Sequence, residues 1–222
     1  MTMKNRGLML LSGAVMIALI LTSAYAAQGL PADARVPIHW NSAGRIDGDA
    51  PKWIALMIAP AMAAITSLVF LLISVAEPHQ DNLASSRTLF RIAWIGMLAT
   101  AVVIEIAQLS VLYGWAVSVP TLIIGGIGLF FVVLGNQLAK SRPMYMVGIR
   151  TPWTLANADV WVATHRLGGK LMMLAGLMWL VAAAFGWVGR SAMPLLTAAM
   201  LAAAIAPIVY SYLLWRRIAR HG

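Results

Sequence analysis

Few residues in this chain could do chemistry, and their positions say which chemistry is open to them. Glu105 lies well inside a long apolar run, where a carboxylate costs on the order of 3 kcal/mol and must face other protein. Gln108 follows one helical turn later on the same face. Such a pair suits either a neutral hydrogen bond between helices or an ion or proton path. A second group, His39, Asp47 and Asp49, falls between two apolar runs with Trp40 and Asn41 beside it. An imidazole and two carboxylates could bind calcium or zinc, although Asp-Gly-Asp is also a common turn. The third and densest group runs from Gly148 to Gly169. Arg150 could clamp an anion bidentately or anchor a span at the interface. Thr151 suits a helix N-cap with Pro152 in the first helical position. From Asn157 onward, Trp161, Thr164, His165 and Gly168 recur at helical spacing and share one stripe, with Val160 and Ala163 on the other side. That pattern suggests a short helix in the membrane interface, with Trp153 and Trp161 at headgroup level. His165 could accept a proton or bind a ligand, or be a packed group hydrogen-bonded to a neighbour.

The elements that must carry these residues are membrane helices. Of 222 residues 61% are hydrophobic and only 10% charged, and the mean hydropathy is +0.83, far from the composition of soluble domains. Long unbroken apolar runs select helices over a β-barrel. Six spans are expected, at 7–27, 53–76, 92–113, 119–139, 168–188 and 192–215. With both termini in the cytoplasm, Lys4, Arg6, Arg87, Arg91, Lys140, Arg142, Arg150, Arg166, Lys170, Arg216, Arg217 and Arg220 fall inside. Arg35, Arg45, Lys52 and Arg190 then fall outside, a bias of the sign that the topology requires. The net charge of +9 is explained by this flanking pattern, and no contiguous basic segment suggests direct binding of nucleic acid. Lys4 and Arg6, the apolar run and Ala24-Tyr25-Ala26 also fit a cleavable signal peptide, but the run to Ala27 is long enough to span and is read as retained. There is no cysteine, so disulfides, thiolate metal sites and thiol catalysis are excluded. No cofactor is implied.

Two hydrophilic segments interrupt the spans. Residues 28–52 are punctuated by Pro31, Pro37, Gly44, Gly48 and Pro51, with 36–40 as an extended stretch, and read as a compact cap on the membrane. Residues 140–170 are rich in Trp, Thr, Arg and Gly. The expected organisation is two parts, 1–76 with the cap loop 28–52, and 77–222 with the loop 135–171. Gly125, Gly126 and Gly128 are expected to allow close helix approach, and Pro60 and Pro207 to kink their helices.

The stretch GNQLAKSRPMYMVGIRTPWTLANADVWVATHRLGGKL, residues 135–171, resembles the signature of the SdpI-type immunity protein family. LPADARVPIHWNSAGRIDGDAPKW, residues 30–53, is similar to the domain of unknown function that commonly precedes it. The matching positions are Gly148, Arg150, Thr151, Pro152, Trp153, Thr154, Asn157, Trp161, Thr164, His165, Arg166, Gly168 and Gly169. Met144 stands where a polar residue is common in the family, and Ala139 where proline is common. The resemblance implies a six-helix bacterial inner-membrane protein. It also implies partners: membrane lipid, a secreted peptide toxin against which the cell is protected, and a cytoplasmic repressor held at the membrane.

Three function classes follow. One is an immunity or sensing protein. Another is a small transporter or channel using Glu105, against which stands the lack of any internal repeat or matched pair of broken spans. The last is an intramembrane enzyme, for which no metalloprotease, nucleophile-elbow or phosphate-loop motif occurs. The chain is therefore read as an all-α polytopic membrane protein, not an enzyme.

Overall fold

The computed structural model describes residues 5–41, 44–187 and 192–221. Lys4, Arg190 and the end of the expected fifth span at Val188 lie outside the described residues. The chain forms α1 (Arg6–Gln28), β1 (Arg35–Trp40), β2 (Ile46–Pro51), α2 (Lys52–Leu56), α3 (Ile58–Ala76), α4 (Gln80–Ser85), α5 (Arg87–Leu112), α6 (Val119–Leu138), α7 (Pro152–Ala156), α8 (Ala158–Ala184) and α9 (Met193–His221). Among the described residues, six helical stretches are long and apolar enough to cross a membrane, with α2 and α3 forming one of them. The protein is thus an all-α multi-pass membrane protein, as its apolar runs require.

Three boundaries differ from expectation by five residues or more. The third spanning helix begins at Arg87, before Ile92, the fifth begins at Ala158, ten residues before Gly168, and the sixth runs on to Arg220, past Trp215. Polar residues lower local hydropathy without breaking a helix, and within 158–168 Trp161 and His165 are buried and hydrogen-bonded.

The chain divides into two compact units. The first contains Met1–Leu71, Trp94–Ile127 and Val181–Met193. Here β1 and β2 form an antiparallel hairpin in which Val36 pairs with Ala50. Both side chains are buried against Ala26, Ala27, Ala55 and Leu56. The Lys52 ammonium, itself buried, donates to the carbonyls of Ala27 (3.0 Å) and Leu30 (2.6 Å). It supplies donors and positive charge where α1 ends. Pro60 explains the break between α2 and α3. Lacking an N–H, it leaves the Leu56 carbonyl without its helical partner. The Ser23 hydroxyl approaches that oxygen to 2.7 Å.

The second unit contains Leu72–Ala93, Gly128–Leu180 and Pro194–Gly222. Its packing rests on an antiparallel glycine ladder. A Cβ on Gly135 would lie 2.7 Å from the Gly169 carbonyl oxygen, and one on Gly176 would lie 2.7 Å from that of Gly128. Each glycine pair brings backbone against backbone at two levels of α6 and α8, seven residues apart on each helix. Of the three glycines singled out in α6, only Gly128 meets backbone. Gly125 and Gly126 face the side chains of Ala183 and Val103.

Candidate functional site

The segment after α6 has no regular secondary structure until Pro152, yet nearly every turn of it is held by a side chain from elsewhere in the second unit. Ser86 accepts the Arg142 N–H (2.9 Å), and Asn82 donates to the Pro143 carbonyl (2.8 Å). Glu77 accepts the Tyr145 N–H at Oε1 (3.1 Å) and the Met146 N–H at Oε2 (2.6 Å). Its Oε1 also accepts the His79 N–H (3.0 Å). Only 2% of Glu77 is exposed, so this carboxyl group is buried and held by three backbone N–H groups. Sequence reasoning missed it, because an acid at the end of an apolar run looks like an ordinary interfacial charge. The Glu77-Pro78 pair was the available signal, since proline stops the helix and turns the chain back over the carboxylate.

His165 is the second fastening. Its Nε2 accepts the Ile149 N–H (2.8 Å), and its Nδ1 lies 2.8 Å from the Trp161 carbonyl. The amide donor makes Nε2 the acceptor and the carbonyl makes Nδ1 the donor, so both ring nitrogens of a neutral imidazole are engaged. The ring also stacks on Trp161 with centroids 3.9 Å apart. Gly148, at φ 117°, passes so close that a Cβ there would fall 2.5 Å from His165 Nε2. Glycine is required both by that conformation and by the contact. Gly168 plays a similar part, because its missing side chain makes room for Ile149.

Thr151 caps α7 as its type and the following proline suggest. Its hydroxyl accepts the Thr154 N–H (3.2 Å) while the Thr154 hydroxyl accepts the Thr151 N–H (2.8 Å), completing a capping box. Asn157 caps the next helix, accepting the N–H groups of Asp159 and Val160 at 2.9 and 3.1 Å. Trp153 donates its indole N–H to the Ser211 hydroxyl and lies against Tyr212 and Trp215 of α9.

The stripe Trp161, Thr164 and His165 is wholly enclosed by protein. Trp161 therefore faces protein and not lipid headgroups. Its indole donates to the Ser141 carbonyl (3.2 Å), and Val160 on the adjacent face is equally buried. An amphipathic stripe shows that a face is distinct without saying what it faces, and here it faces the loop. Met144, at a position where the family commonly has a polar residue, is also buried. What the loop leaves at the surface is Arg142, Tyr145, Met146, Arg150 and, on α8, Arg166. Arg150 donates from Nη1 to the Tyr145 carbonyl (2.8 Å), and Tyr145 stacks on His79.

In the first unit the hairpin residues do not converge. His39 Nδ1 lies 2.5 Å from Asp47 Oδ1, whereas Asp49 pairs with Arg35 at 2.5 Å. Asn41 accepts the Arg45 N–H (3.1 Å) and closes the turn. Among the described residues no three His, Asp or Glu side chains come together for a metal. Trp40 is half-buried and lines a cleft of about 620 Å³ with Arg45, Ile46, Val111 and Pro120.

Glu105 and Gln108 are both buried in the first unit. Glu105 Oε1 lies 2.9 Å from the hydroxyls of Thr22 and of Ser23, and Gln108 donates its amide to the Ala55 carbonyl (2.9 Å). The two residues thus join α5 to α1 and to the broken second span.

Comparison with known proteins adds three findings. Residues 140–211 match the model of the SdpI/YfhL protein family, and residues 14–64 match a domain of unknown function, DUF1648. Among curated proteins, the immunity protein SdpI of Bacillus subtilis (strain 168) is 26% identical over 158 residues, covering 71% of this chain and 72% of that protein. No solved structure matches significantly.

Proposed function

Taking the chain as a member of the SdpI/YfhL protein family, we propose that it is a non-enzymatic immunity protein of the bacterial inner membrane. In this reading it protects the cell against a secreted peptide toxin or antimicrobial peptide, and its cytoplasmic face holds a transcriptional repressor at the membrane. Both termini and the loop 135–171 lie in the cytoplasm, with the hairpin outside. The relative's name supports the immunity role, and the charge bias of the loops supports the orientation.

One observation carries the cytoplasmic half of the proposal. Ten residues without helix or strand, 141–150, are fixed by Asn82 of α4, by His165 of α8, and by Glu77 and Ser86 in the chain between helices. Lipid anchoring needs only a long cation and an aromatic ring. A loop held in one shape, with Arg150, Tyr145 and Met146 outward, suits a protein partner that reads a defined surface.

Growth of a peptide-sensitive strain tests the function. Cells producing the protein should survive a panel of secreted antimicrobial peptides at doses that kill the parent strain, and equal killing of both strains would remove the immunity role. Reporter fusions test the orientation separately. Fusions after Asp49 should report the outside, and those after Asp81, Ala156 and His221 the cytoplasm.

A further inference from the structure

The buried cluster around Glu105 contains two oxygens that no described residue satisfies. Glu105 is 3% exposed and Gln108 1% exposed. Glu105 Oε2 and Gln108 Oε1 nonetheless meet no hydrogen-bond donor among the described residues. Buried polar atoms are rarely left so, and two on one helix face, one turn apart, point to a common ligand.

The surrounding hydrogens say what kind of ligand it is. Gln108 turns its N–H toward the Ala55 carbonyl, which leaves its oxygen as the free end of the amide. The single Ser23 hydrogen has the Leu56 carbonyl at 2.7 Å and Glu105 Oε1 at 2.9 Å. That carbonyl has lost its helical donor to Pro60, so it is the acceptor in greater need. The Thr22 hydroxyl has three acceptors, Glu105 Oε1 at 2.9 Å and the Ala18 and Leu19 carbonyls at 3.0 and 3.1 Å, and its hydrogen serves Oε1. Glu105 Oε2 and Gln108 Oε1 remain without a donor. Around these two the cluster presents carboxylate, amide, hydroxyl and carbonyl oxygens.

We propose that Glu105, Gln108, Ser23 and Thr22, beside the broken turn between α2 and α3, bind an alkali-metal cation. Oxygen-only lining is the chemistry of hard cations. A single carboxylate matches a single positive charge, so the filled site is neutral, as a site within a membrane span must be. Calcium sites draw on more oxygens and usually on more than one carboxylate. Carbonyls at an interrupted membrane helix are a known setting for such ions. A cation bound here acts on the fold of the first unit, independently of any immunity role.

The test is thermal unfolding of the purified full chain in detergent, in the chlorides of sodium, potassium and choline at equal ionic strength. The unfolding midpoint should rise saturably with sodium or potassium relative to choline, as for any ligand bound only by the folded state. Glu105→Gln should abolish the difference, and Gln108→Met should weaken apparent cation affinity about tenfold or more. Equal midpoints of the wild-type protein in all three salts would overturn the proposal and leave a water-bridged polar cluster. A cation-dependent rise that survives Glu105→Gln would also overturn it. The wild-type comparison decides the matter even if the variants do not fold.

Discussion

Glu77 and Glu105 are two carboxylates almost fully enclosed by protein, and they are treated oppositely. Glu77 receives three backbone N–H groups across its two oxygens. Glu105 has two hydroxyls beside one oxygen and, among the described residues, no donor at the other. A carboxylate engaged at both oxygens by the main chain has little acceptor capacity left for a ligand, and its effect is to fix the chain that surrounds it. One left half-satisfied retains a direction in which something else can bind. The difference separates a structural acid from a binding one more reliably than burial or hydropathy does.

The largest effect should come from breaking the saturated acid. Glu77→Ala leaves three amides without their acceptor, each costing about 1–3 kcal/mol when buried. The protein should accumulate poorly or unfold at a much lower temperature, while Glu77→Gln, which keeps one acceptor oxygen, should fall between the two. A Glu77→Ala protein as stable as wild type would show that the loop does not depend on this acid.

Next in size is the glycine ladder. A Cβ on Gly169 would approach the Gly135 carbonyl oxygen to 2.5 Å, so Gly169→Ala should cost roughly 1–3 kcal/mol by overpacking. Gly13, also helical, has nothing within 4 Å of where a methyl group would stand, and Gly13→Ala should be neutral or slightly stabilising. Thermal midpoints of the two variants, measured side by side, check this contrast directly.

The smallest effect on stability and the sharpest on function is expected at Arg150. Its side chain is exposed, so Arg150→Lys should change stability by less than about 0.5 kcal/mol. Lysine keeps the charge needed for anchoring but lacks the planar fork. If the loop is read by a partner, Arg150→Lys should lose peptide protection or repressor retention at normal membrane level. Full activity would make Arg150 an anchor.

These contrasts also mark what could be read in the sequence. The spanning helices were legible because length and hydropathy are local properties, and the start of α7 was legible because Thr151 and Pro152 act on their own turn. The hairpin strand at 36–40 was announced by its flanking prolines and glycines. Pairings between distant residues were not legible. Nothing in the sequence says that Gly135 meets Gly169, that Lys52 closes the end of α1, or that His165 reaches back to the amide of Ile149. For the same reason the stripe Asn157, Trp161, Thr164 and His165 could be recognised as a distinct face, while the burial of Trp161, Thr164 and His165 could not be foreseen. Of the residues that remain outward, Tyr145 and Met146 carry no pattern of their own and become visible only once Glu77 is seen holding their amides.

The central claim is that the segment 141–150 is held in one shape by Glu77 and His165, and amide hydrogen exchange measures that most directly. In the wild-type protein the amides of Arg142, Tyr145, Met146 and Ile149 should exchange slowly despite lying outside any helix. In Glu77→Gln the amides of Tyr145 and Met146 should speed up, and in His165→Ala that of Ile149, with the amides of α8 beyond Gly168 unchanged in both. Wild-type exchange of these four amides at the rate of an unstructured peptide would contradict the account.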